Sequence, residues 1–111
     1  SWHKILYKSM ERDTHITEVV FRMFNNEVLA LFPYEIYNHT GLVNSYMHVG
    51  QHSGANYEHC IQSSFSRPAT EGEYKDLKKE LESLGYNLKV VKRRNYNKYL
   101  SAYHESRKQF A

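Results

Sequence analysis

The sequence predicts a small α+β domain: an antiparallel sheet packed by one amphipathic helix, with a second helix at the C-terminus. Two segments carry that expectation. Residues 70–93 read as a capped helix that turns at Gly85 into a strand, and residues 17–32 read as two β-prone runs joined by Asn25-Asn26. The length agrees, because a chain of 111 residues buries roughly 65% of its extended surface on folding, enough for one core and not two.

Residues 1–10 suggest a strand with Trp2 and Leu6 on one face, although the apolar block Ile5-Leu6-Tyr7 obscures the register. After a polar break at residues 11–15, Val19, Val20, Phe21, Met23 and Phe24 form one apolar run and Val28 to Phe32 a second. The intervening Asn25-Asn26 tolerates positive φ, which favours a hairpin over the competing reading, one helix from about Ile16 to Leu31. Pro33 has no amide to donate and is expected to end the second strand. A loop through Asn38, Thr40 and Gly41 follows, then a strand over residues 45–52 and a small, polar turn at residues 53–56. Residues 57–65, with Tyr57, Cys60, Ile61 and Phe65, fit either a short helix or another strand.

The helix signal is clearest at Thr70, which with Glu73 makes a capping box in which each satisfies an orphan backbone donor of the other. Glu71, Glu73 and Asp76 suit the positive end of the helix dipole, and Tyr74, Leu77, Leu81 and Leu84 form one apolar stripe. Gly85 is placed to end the helix at positive φ. From Tyr86 the period becomes two, with Tyr86, Leu88 and Val90 on one face. Residues 1–94 are thus read as the domain, and residues 95–111, with Tyr96, Tyr99, Leu100 and Tyr103 at helical spacing, as a basic, tyrosine-rich helical extension.

Composition narrows the function classes. An apolar fraction of 41% and a charged fraction of 24% are those of an ordinary globular chain and exclude wholesale disorder. No apolar run approaches the roughly 18 residues of a membrane span, and residues 1–10 lack the apolar core of a signal peptide. A first residue other than methionine reads as a processed end or an expression scar. The lone Cys60 suits a reducing cytoplasm and excludes a multi-thiolate zinc site. The net charge of +3 is unevenly placed: residues 1–85 carry 8 Lys and Arg against 11 Asp and Glu, while residues 86–111 carry 7 against 1.

Tyr46-Met47-His48-Val49-Gly50-Gln51-His52-Ser53, Arg67-Pro68-Ala69-Thr70, Glu73-Tyr74, Leu77, Glu80-Leu81 and Gly85-Tyr86-Asn87-Leu88-Lys89-Val90 resemble a family of small uncharacterised proteins of phages and mobile elements of gut Bacteroidetes-type bacteria. The resemblance spans about residues 20–93. It implies a genomic setting, and with it a bacterial cytoplasm, but no mechanism.

Ten tyrosines accompany only one tryptophan and five phenylalanines, as sheet enrichment or a binding surface would require. Lys92, Arg93, Arg94, Tyr96, Lys98, Tyr99, Tyr103, Arg107 and Lys108 interleave cations with aromatic rings, the composition of a single-strand or RNA site. The same residues on a helix would also dock an acidic protein patch or a second copy of the chain. His48, His52, His59 and Cys60 are weak metal candidates, because on one extended strand His48 and His52 stand about 13 Å apart. Only a bend at Gly50 would gather them. No Gly-rich phosphate loop, paired acidic motif or nucleophile elbow occurs. The expectation is a non-enzymatic binding protein without cofactor, with a protein partner or self-association ahead of nucleic acid.

Overall fold

A computed structural model describes residues 15–47 and 51–110; the strand expected over residues 1–10 and the candidate His48 lie outside them. The fold is α+β. Strands β1 (Thr17–Phe24), β2 (Glu27–Ile36), β3 (Val43–Met47) and β4 (Gln51–Ala55) form an antiparallel meander. Helix α1 (Tyr57–Cys60), strand β5 (Arg67–Pro68), helix α2 (Glu71–Ser83), strand β6 (Leu88–Val90) and helix α3 (Tyr96–Phe110) follow. The sheet order is β4-β3-β2-β1-β5, with β6 also on β1. Both late strands use the same edge of β1: β5 lies antiparallel against Arg22 and Met23, and β6 lies parallel against Thr17 to Val19.

The first hairpin forms as the asparagines dictate. Asn25 at φ 49° and Asn26 at φ 64° give the doubly left-handed turn whose twist matches that of its strands. Pro33, however, does not end β2. The strand continues to Ile36, and the pairing with β3 shifts between Phe32 and Ile36, so the missing amide falls in an irregularity that makes no demand on it. The single strand expected over residues 45–52 is instead two, paired Met47 to Gln51, and the turn expected at residues 53–56 is strand as far as Ala55. Small side chains permit this. The Tyr37 ring lies against the Gly54 backbone, where a Cβ would stand 2.3 Å from a ring carbon.

Strand alternation divides the core between two faces. On the first, Val19, Phe21, Ala30, Phe32 and Tyr46 pack with Leu77 and Leu81 of α2, each buried leucine contributing about 1.5–3 kcal/mol. The Thr70 hydroxyl accepts from the Glu73 amide at 3.3 Å, and Glu73 Oε1 accepts from the Thr70 amide at 2.9 Å. Arg67 grips the same carboxylate with both terminal nitrogens, at 2.8 and 2.5 Å, and holds Glu73 at about 2. At the other end the Gly85 amide donates to Glu82 O and the Tyr86 amide to Leu81 O, a Schellman closure around Gly85 at φ 106°. Leu84 caps the helix and is half exposed, so the buried stripe stops at Leu81.

On the second face Val20, Leu29, Leu31 and Val43 pack with Tyr57 and Cys60, and Tyr99 of α3 joins them. Residues 57–65 thus resolve into one helical turn and a loop. Buried Arg22 holds that loop, donating to Ser66 Oγ at 2.8 Å, Ser66 O at 2.8 Å and Ile61 O at 3.0 Å.

Candidate partner-binding surface

Of the basic, tyrosine-rich segment, Arg94, Tyr99 and Tyr103 pack against the domain, whereas Lys92, Arg93, Tyr96, Lys98, Arg107 and Lys108 are exposed. The Arg94 guanidinium sits 4.3 Å from the Tyr57 ring centroid and pairs with Glu58 at 2.9 Å. Its backbone amide donates to Tyr57 Oη at 2.8 Å, and burial pushes that phenol up. Tyr99 Oη donates to Gly41 O at 2.7 Å and Tyr103 Oη to His39 O at 2.9 Å, which ties α3 to the loop between β2 and β3. Lys98 is bonded to Glu18 and lies 4.4 Å from the Tyr34 centroid. Lys108 pairs with Glu105 at 3.2 Å, and Arg107 stands 5.8 Å from the Tyr103 centroid. Tyr96 is 57% exposed, and Lys92 and Arg93 project from the chain before α3.

The described metal candidates do not converge. His52 stacks edge-on against Tyr46 on the first face of the sheet, whereas Cys60 is buried among the residues of the second. His59 is tilted against Phe65, itself packed on that second cluster. Among the described residues no three His, Cys, Asp or Glu side chains are grouped to hold a metal. Burial pushes the Cys60 thiol up, away from the thiolate that nucleophilic work requires.

Three depressions adjoin α2. A cleft of about 390 Å³ beside the C-terminus of α2 is lined by His15, Glu35, His52 and Asn87 among others, with Glu35 accepting from Asn44 at 3.2 Å. A larger groove, about 560 Å³, runs between α2 and β6; Tyr74, Leu88 and Val90 give it apolar surface, and Lys75, Lys78, Lys79, Glu71 and Glu82 give it charge. Glu71, Tyr74 and Val90 also line a notch of about 330 Å³ where β5 and β6 diverge along β1, with Arg22 and Lys92 on its walls. The Arg22 guanidinium has only neutral oxygens for partners, and burial lowers its pKa.

The groove itself carries Lys75, Lys78 and Lys79, and further cations follow on and after β6. Lys78 pairs with Glu82 at 3.4 Å. Lys75, Lys79, Lys89, Lys92 and Arg93 are exposed, and their side chains have no hydrogen bond or ion pair among the described residues. The sequence reading singled out Lys92 and Arg93 and missed the α2 lysines, whose spacing signals only the polar side of an amphipathic helix.

No protein-family model, curated protein or solved structure matches the chain. No helix among the described residues is long and apolar enough to cross a membrane.

Proposed function

We propose that the chain is a non-enzymatic binding protein whose partner is another protein. One observation carries this reading: Arg94, Tyr99 and Tyr103, which would stack on and neutralise a nucleic-acid strand, are occupied within the fold. Arg94 lies against the Tyr57 and Tyr99 rings, and the Tyr99 and Tyr103 hydroxyls bond to loop carbonyls. A single-strand site relies on open aromatic faces along a cationic track. The cationic surface around α2 and β6 is interrupted by Glu71 and Glu82, and on α3 Lys98 and Lys108 are paired with Glu18 and Glu105, a mixed pattern that suits a protein surface better than a phosphate backbone. An inhibitor or accessory protein of a phage or mobile element would act in this way, by occupying a partner's surface.

The test is affinity capture with the full chain from bacterial extract, with and without nuclease, alongside titration of single-stranded RNA and DNA at two salt concentrations. A discrete protein, or a second copy of the chain, retained after nuclease is the expected result. Recovery only through nucleic acid, with oligonucleotide binding that falls steeply with salt, would overturn the reading in favour of a nucleic-acid-binding protein.

A further inference from the structure

We infer that the outer edge of β6 receives an acidic, extended segment of a partner protein as an added strand, seated in the groove beneath α2. This inference rests on the protein-binding reading and assigns that partner its chemistry.

The backbone supplies the first ground. The Thr17 amide donates to Asn87 O, and the Val91 amide donates to Val19 O. In a parallel ladder, alternate residues face the neighbouring strand. Asn87, Lys89 and Val91 therefore face β1, while Leu88 and Val90 turn their amides and carbonyls outward. β1 is the only strand paired with β6 among the described residues. Two donors and two acceptors in register form a short template of the kind that strand addition uses.

The side chains supply the second ground. Leu88 and Val90 are half-buried on the first face, and with Tyr74 they give the groove an apolar floor beside that edge. Lys75 and Lys79 stand along it from α2; Lys89 alternates to the opposite side of β6 from Leu88 and Val90, and Lys92 follows the strand, all four without a carboxylate partner among the described residues. An incoming strand carrying Asp or Glu would meet these charges at short range. A second copy would bring the same cations to the same edge, and that repulsion disfavours self-pairing here. RNA is the less suitable occupant. Tyr74 is stacked on Phe21, with centroids 4.5 Å apart and planes 12° from parallel, which leaves its ring at most one face for a base.

The probe is a labelled peptide of about ten residues alternating Glu and Val, titrated into the isotopically labelled full chain and followed by NMR. Two further peptides carry backbone N-methyl groups on one or the other alternate set of residues, and a single-stranded RNA serves as comparison. The expected result is saturable shifts at the Leu88 and Val90 amides, loss of binding with one methylated set only, and at least a tenfold weaker affinity for Lys75→Glu/Lys79→Glu. Both lysines are exposed, and an unchanged spectrum away from the groove verifies the fold of the variant. Absence of binding, equal binding by the charge-reversed variant, or indifference to both methylation patterns would overturn the inference. If a nuclease-resistant partner is still captured by that variant, protein binding stands and only this edge is excluded. If RNA alone shifts the groove and no protein is captured, both fall.

Discussion

The Arg94 guanidinium lies 3.9 Å from the centroid of the Tyr99 ring. This contact joins the link after β6 to α3, and with the Tyr57 ring 4.3 Å away it makes Arg94 a buried cation against two aromatic rings. Its side chain is 6% exposed, whereas its partner Glu58 is 65% exposed. Removing the arginine therefore costs far more than removing the carboxylate. Arg94→Ala is expected to destabilise the fold by about 2–4 kcal/mol and Glu58→Gln by less than about 1 kcal/mol. Arg94→Lys should restore less than half the loss, because an ammonium has no flat face to stack. Urea unfolding of the three variants measures this.

Glu73 sets a pH dependence. Its carboxyl is held at about 2 first by Arg67 and then by the Thr70 amide. A carboxyl depressed on folding adds stability that is fully present above its ordinary value near 4.5 and is lost as pH falls through about 2. NMR titration should find Glu73 still ionised at about pH 3, where ordinary glutamates are largely protonated. Arg67→Ala should move its midpoint upward, but not the whole way, since the Thr70 amide remains.

Gly54→Ala tests the contact that lets residues 51–55 act as strand. The added Cβ would meet the Tyr37 ring at 2.3 Å, and we expect a loss of about 1–3 kcal/mol in thermal or urea unfolding. In a Tyr37→Ser background most of that loss should vanish. A coupling energy near zero in the double-mutant cycle would refute the steric account.

Cys60 is buried, with its thiol pushed up. Alkylation by iodoacetamide near pH 8 should be at least about tenfold slower in the native protein than in urea. Arg22→Ala should raise the native rate, because the loop closing over Cys60 is held by Arg22 through Ser66 and Ile61.

Legibility in the sequence followed the range of the interaction. Asn25-Asn26, the Thr70–Glu73 box and Gly85 act on their own neighbours, and the hairpin and α2 form where they indicate. Pro33 misled because its rule assumes a regular ladder, and β2 is irregular there. Residues 45–55 misled because nothing in a run of small polar residues says that it pairs back on itself. The tyrosines of α3 were visible as a helical stripe, but what covers them is a loop some sixty residues earlier in the chain, with Tyr103 bonded to His39. The groove was hidden for the same reason: Lys75 and Lys79 come beside Leu88 and Val90 only once β6 docks on β1.

That docking also bears on the order of assembly. The four strands of the meander are joined by short links and pair with their immediate predecessors, so they can zip up with little loss of chain entropy. Strand β6 must find Thr17 from about 70 residues away. Its three residues give little in return, which makes this edge the last piece to settle and the first to open when native amides exchange with solvent. A segment bound along β6 would slow that opening, and the occupied edge would then carry a share of the protein's kinetic persistence.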